Sequence, residues 1–260
     1  MPNLIKIAAL AGAMSLAAAT AGLAADAKPT VVLVHGAFAE SSSWNGVVAE
    51  LTRDGYPVIA AANPLRSLAG DAAFVAAVLK SIPGPVVLVG HSYGGAVITG
   101  AAVGQANVKA LVYVDGFMPA PGETALQLSG KFPGSTLGGA LSPPVALPGG
   151  GQDLYIAPEK FRAQFAADVP LADTRLMAAT QRPVTQAALA EPAGPAAWTT
   201  IPSWSIYGSG DLNIPPAALA FMSERAKARK TVVVPGASHV AMVSHPKEVA
   251  ALIEEAAAAK

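Results

Sequence analysis

Short, uninterrupted apolar runs alternate with longer segments of helical spacing along most of this chain. TVVLV (30–34), PVIAA (57–61), PVVLV (85–89), ALVYV (110–114), SWSIY (203–207) and TVVVP (231–235) are the candidate strands. Most are rich in Val and Ile and lack polar alternation, the pattern of strands covered on both faces. Segments long enough for crossover helices separate them, which predicts a mainly parallel six-stranded sheet flanked by helices in an α/β fold. Helical spacing marks Ser43 to Asp54 closed by Gly55, Asp71 to Lys80 ahead of Pro83, Tyr93 to Val103, Pro216 to Ala228, and Pro246 to Ala258.

This rhythm fails between Phe117 and Thr200, where 11 of the 22 prolines fall. KFPGSTLGGALSPPVALPGGG (131–151) has a composition that disfavours any regular element. The later PEKFRAQFAADVPLADTRLMAATQRP has helical spacing broken at Pro170 and Pro183. Phe161, Phe165, Leu171, Leu176 and Met177 in that stretch need burial, so a mobile linker is the poorer reading. The expectation is a helical cap, about 117–200, inserted after the fourth strand of a domain spanning 28–260 and lying over the carboxyl edge of the sheet.

The third strand runs into PVVLVGHSYGGAVITG (85–100). Gly90-His91-Ser92-Tyr93-Gly94 satisfies G-x-S-x-G between a strand and a helix-compatible segment, the context in which that motif presents a nucleophile. The turn has to be tight enough to strain the Ser92 backbone, and side chains at 90 and 94 would collide with it. Without that strain the same residues would be an ordinary glycine turn.

A serine hydroxyl needs a base, and the base needs an orienting group. The chain has four histidines. His35 opens HGAF after the first strand, and His91 adjoins the serine with its side chain expected to point away from Oγ. His245 stands beside Pro246 at a helix start, a structural setting. His239, in the loop after the last strand, reaches the same carboxyl edge as Ser92 and is the expected base. For the acid, Asp211 follows the fifth strand in YGSGDLNIPP, and Asp115 after the fourth strand is its competitor. The chain order Ser92, Asp211, His239 favours Asp211. An oxyanion hole needs two backbone donors: Tyr93 N–H, and one from HGAF, with Ala37 first and Phe38 second. Phe38, and Met177 on a short cap helix, are expected to line the substrate pocket.

Charge narrows the partners. Seventeen basic and seventeen acidic residues leave no net charge and no basic stripe, which speaks against nucleic acid or an anionic membrane surface as partner. The one dense positive run, Ser223 to Lys230, suits a helix C-terminus. No cysteine is present, so disulfides and thiolate chemistry are excluded. No His, Asp and Glu cluster has metal-ligand spacing, and GHSYGG lacks the glycine spacing of a dinucleotide loop. No cofactor is expected. The N-terminus, with Lys6, an apolar stretch from Ile7 through Ala19 and small residues at Gly22, Ala24 and Ala25, reads as a cleavable signal peptide over residues 1–25. The apolar run is short and alanine-rich for a membrane anchor, so a periplasmic or secreted location is expected.

VLVHGAF, ANPLRSLAGD, VVLVGHSYGG, YGSGDLNIPP and ASHVAMVSHP together resemble bacterial α/β-hydrolase esterases related to plant methyl-ester esterases and hydroxynitrile lyases. The resemblance covers nearly the whole chain after the signal and implies the α/β-hydrolase fold trimmed to six strands, a helical cap, no cofactor and the Ser92, Asp211, His239 triad. The lyases carry threonine where this chain has Gly36, and lysine after the catalytic histidine where it has Val240. Both departures favour the esterase branch, acting through an acyl-enzyme on Ser92, and an apolar cap over an uncharged site suggests small or medium hydrophobic esters. A lyase or cofactor-free oxidative enzyme on the same fold, and a small-ligand-binding protein without catalysis, are the competing readings.

Overall fold

Six parallel strands form the central sheet: β1 (Thr30–Val34), β2 (Val58–Ala61), β3 (Val86–His91), β4 (Val108–Val114), β8 (Ser203–Gly208) and β9 (Lys230–Val234), in the order β2-β1-β3-β4-β8-β9. The computed structural model describes residues 28–260; the expected signal peptide lies outside the described residues. Each predicted strand appears within a few residues of its expected limits. Burial explains their composition, since β1, β3 and β4 have almost no polar face and sit at the centre of the sheet. Lateral order matters for function: β3 lies beside β4, and β4 beside β8, so the carboxyl ends of β3, β8 and β9 open on one edge.

The predicted helices are also present. Asn45–Arg53, preceded by a 3-10 turn at Ser41–Trp44, and Pro246–Ala258 pack against each other; Leu68–Lys80 packs on Tyr93–Ala101. Pro216–Arg225 ends where the basic run begins. Ser67 caps the helix at Leu68 by accepting from the Gly70 N–H, so that helix starts one turn earlier than its apolar spacing indicates. Among the described residues no helix is long and apolar enough to cross a membrane.

The insertion between β4 and β8 carries the short helices expected of its later half, Pro158–Phe165, Leu171–Thr180 and Gln186–Ala190. Its earlier half departs from expectation. Leu137–Ala140 is helical, and β5 (Val145–Ala146) pairs with β6 (Gln152–Leu154), which pairs with β7 (Val184–Thr185) in a small antiparallel sheet. The strand at 145–146 forms inside a proline- and glycine-rich run because its partner lies across a turn at Gly149–Gly151, whose positive φ angles only glycine adopts without strain. Phe161 and Phe165 are fully buried, whereas Leu171 and Leu176 remain exposed.

Candidate active site

Ser92 stands at the end of β3 with φ 53° and ψ −123°, a left-handed strained conformation for a residue that is not glycine. Two glycines make the turn possible. A Cβ at Gly90 would lie 2.5 Å from Gly94 O, and one at Gly94 would lie 2.3 Å from Val34 O. The helix starting at Tyr93 therefore enters directly behind the serine and against the end of β1.

The loop after β9 brings His239 to this point. Its Nε2 is 2.8 Å from Ser92 Oγ, and its Nδ1 is 2.6 Å from Asp211 Oδ2, in the loop after β8. The other carboxylate oxygen, Oδ1, accepts from Asn213 N–H at 2.7 Å and Ile214 N–H at 2.9 Å, which fixes the carboxylate plane. All three side chains are buried. Burial alone would push the His239 pKa down; the Asp211 charge and hydrogen bond, helped by Asp115, outweigh it, and the net shift is upward. An acid–base group thus stands between a hydroxyl and a carboxylate, with its affinity for a proton raised above that of a free imidazole.

Asp115, the competing carboxylate, occupies a different place. Its Oδ1 accepts from Gly208 N–H at 2.8 Å and its Oδ2 from Ala241 N–H at 3.1 Å, so it braces the end of β8 and the chain just after His239. Burial, and then the Asp211 charge, push its carboxyl up to about 7. His91 does point away from Oγ. Its Nε2 donates to the His239 carbonyl at 2.8 Å and its ring lies 4.9 Å from the His239 ring; burial holds it neutral. His35 is buried with Nδ1 3.0 Å from Gly36 O, and His245 sits at the start of the last helix, near Ser244 and Asp168.

The HGAF loop runs close to the serine because position 36 has no side chain. A Cβ there would lie 2.7 Å from Ser92 Cβ and 2.8 Å from Tyr93 N. Phe38 N–H is engaged by Arg182 O at 3.1 Å, whereas neither Ala37 N–H nor Tyr93 N–H donates to a backbone group in the described turns and loops. Of the two HGAF donors, Ala37 is the one left available.

A narrow cavity of about 50 Å³ meets Ser92. It is lined by Ala37, Phe38, Tyr93, Phe117, Asn213 and Ile214 together with Ala125, Leu126, Ser129, Leu137 and Leu189 of the insertion. Met177 is elsewhere: it lines a separate groove of about 340 Å³ with Leu176, Asp173, Glu40 and Val243. Phe38 belongs to both. As an apolar residue on a short cap helix Met177 reads as part of the Ser92 cavity, but it lines the neighbouring groove, which shares Phe38 with that cavity. Sequence reasoning also missed the role of Phe165, whose ring lies 5.3 Å from the His239 ring and 6.1 Å from that of Phe38. Its need for burial was legible; the surface that would bury it was not.

A model of the alpha/beta hydrolase family matches residues 31–252. The chain belongs to that family. It is similar to a carbendazim hydrolyzing esterase of Nocardioides sp. (strain SG-4G), with 33% identity over 113 residues, 38% of this chain and 47% of the relative. The chain thus spans about half the length of that curated relative. Among solved structures, polyneuridine aldehyde esterase superposes with a TM-score of 0.75 at 20% identity, covering 88% of this chain and 98% of the other. A tomato methylketone synthase I variant complexed with β-ketoheptanoate gives 0.75 at 21% identity, over 89% and 97%. At these identities the two structures speak for the hydrolase fold, and one fold carrying two such differently named enzymes means that chemistry must be argued from the site.

Proposed function

We propose that this alpha/beta hydrolase is a serine esterase that cleaves small to medium hydrophobic carboxylic esters through an acyl-enzyme on Ser92. The observation that carries the reading is the buried relay from Asp211 to His239 at 2.6 Å and from His239 to Ser92 at 2.8 Å, ending at a mostly apolar cavity. In this reading His239 Nε2 takes the Ser92 proton as Oγ attacks the ester carbonyl, and Ala37 and Tyr93 N–H groups hold the oxyanion. Collapse of the tetrahedral adduct expels the alcohol, which receives the proton from His239. Water, deprotonated by the same imidazole, then releases the acid and restores Ser92.

Two further features support the esterase branch over a lyase. Val240, fully buried, follows His239, so that position offers no ammonium to a leaving anion. Gly36 leaves no room beside Ser92 for the threonine that the lyases carry. The name of the curated relative, an esterase, supports the same class. The N-terminal sequence supports export to the periplasm or beyond, and the zero net charge supports a small uncharged ester as the partner.

A panel of p-nitrophenyl esters assayed with wild type and Ser92→Ala tests this. Turnover by wild type, its loss in the variant, and mass-spectrometric location of an organophosphate adduct on Ser92 are the expected results. A Ser92→Ala protein that retained turnover, or a label on another residue, would overturn the assignment.

A further inference from the structure

The cap is joined to the turn that carries Ala37, and we propose that Arg182 is a positioning residue that holds the Ala37 N–H in the oxyanion hole. The inference rests on the esterase reading above and adds to it a residue outside the triad and outside the cavity wall.

The turn from Gly36 to Ala39 is closed by Ala39 N–H donating to Gly36 O at 3.4 Å, a long bond that holds it weakly. Within it Phe38 has φ 63°, left-handed backbone that a residue with a Cβ adopts only when its surroundings enforce it. Relaxation of Phe38 to ordinary φ would redirect its N–H and rotate the peptide next to Ala37. Two contacts oppose that relaxation, and Arg182 supplies both. Its carbonyl accepts from Phe38 N–H at 3.1 Å. Its Nη2 donates to Glu40 Oε2 at 3.0 Å, and its Nε stands 3.0 Å from Glu40 Oε1 as an ion-pair contact without hydrogen-bond alignment.

Position 182 therefore grips the loop at Phe38 through its main chain, which every substitution keeps, and two residues later through the guanidinium, which is the part that Arg182→Ala removes. It can act as a fixed point because the segment that follows is anchored. Val184 pairs with Leu154 in the cap sheet, Thr185 N–H donates to Leu65 O at 3.1 Å, and Thr185 Oγ1 donates to Arg66 O at 2.7 Å. The pair with Glu40 is only partly buried, so its Coulombic worth is screened and its effect is geometric. A donor displaced by a fraction of an ångström still binds a flat ester carbonyl but holds the oxyanion poorly, so the loss falls on the transition state.

The test compares wild type, Arg182→Ala, Arg182→Lys and Glu40→Gln in three measurements: kcat and KM on p-nitrophenyl acetate, thermal midpoint, and affinity for phenylboronic acid, which forms a tetrahedral anionic adduct with a serine Oγ. Arg182→Ala should lose roughly ten-fold in kcat with KM changed by less than about two-fold. Its boronate affinity should fall by a similar factor, with Arg182→Lys recovering part of both losses and Glu40→Gln showing a smaller loss of the same kind. Unchanged kcat and boronate affinity in Arg182→Ala, or a loss confined to KM and thermal midpoint, would overturn the proposal. Should Arg182→Ala fail to fold, Glu40→Gln decides by the same criteria. Wild type without turnover and without a Ser92 adduct would instead overturn the esterase reading, and this inference with it.

Discussion

Asp211 and His239 meet at 2.6 Å in a place where neither side chain is exposed to solvent, and the other oxygen of the same carboxylate is held by two backbone N–H groups. Asp115, a few residues away in space, makes only backbone contacts. The two carboxylates should therefore respond differently to the same substitution. Asp211→Asn leaves the shape intact but allows the wrong imidazole tautomer, and kcat should fall by about 10⁴. Asp115→Asn leaves one buried N–H without an acceptor, which should cost about 1–3 kcal/mol of stability while kcat stays within about ten-fold of wild type. Steady-state kinetics and urea unfolding of both variants check the contrast, and a large kcat loss at 115 alone would reverse the assignment.

The pH profile follows from the upward shift of His239. Attack requires the neutral imidazole, so kcat/KM rises with pH through the His239 pKa of the free enzyme. Burial opposes the shift, but the Asp211 carboxylate and Asp115 exceed it, so the midpoint of the rise should lie above the ordinary histidine value of 6.5. A profile flat from about pH 5 to pH 8, or one with its midpoint below 6.5, would contradict the role proposed for His239. Stability has the opposite sign. A folded pKa raised above the unfolded value contributes stability that is fully present below 6.5 and is lost as pH rises through the folded pKa. Unfolding free energies measured across that range should fall where activity appears.

Position 36 should accept glycine alone. A Cβ there would approach His91 O to 2.5 Å, Ser92 Cβ to 2.7 Å and Tyr93 N to 2.8 Å, and two of the three obstacles are backbone atoms of the nucleophile turn. Gly36→Ala must push the HGAF loop away from Ser92, separating the two oxyanion donors. A loss of about 100-fold or more in kcat/KM is expected, with the circular dichroism spectrum unchanged. Wild-type activity in a folded Gly36→Ala protein would show that the loop approaches less closely than this.

Substrate size should be controlled at Ala125 rather than at Met177. Ala125 lines the cavity that meets Ser92, whereas Met177 lines the neighbouring groove. Ala125→Val adds two methyl groups to a space of about 50 Å³, so kcat/KM should fall for butyrate and longer esters by roughly ten-fold, and much less for acetate. Met177→Trp should leave the order of acyl preference as it is. A chain-length series of p-nitrophenyl esters distinguishes the two sites, and a reordering produced by Met177→Trp but not by Ala125→Val would place the acyl group in the outer groove.

The amino-acid sequence determined a good deal by itself. Buried parallel strands must be continuously apolar, so all six could be read from Val- and Ile-rich runs, and the elbow at Ser92 from glycines at 90 and 94 that no other residue can replace. The chain order of Ser92, Asp211 and His239 placed all three at one edge, because parallel strands end on the same side. Tertiary structure decided what depends on neighbours distant in sequence. Asp211 and Asp115 both follow strands and both reach the edge; only the packed loops after β8 and β9 gave the first His239 and the second two backbone N–H groups. Met177 is an apolar residue on a short cap helix, which fits a pocket lining, but which of two neighbouring hollows it lines depends on how the cap packs, and it lies in the one beyond the Ser92 cavity. The strand at Val145–Ala146 and the grip of Arg182 on Phe38 and Glu40 left no local trace, because each is made by partners that only folding brings together.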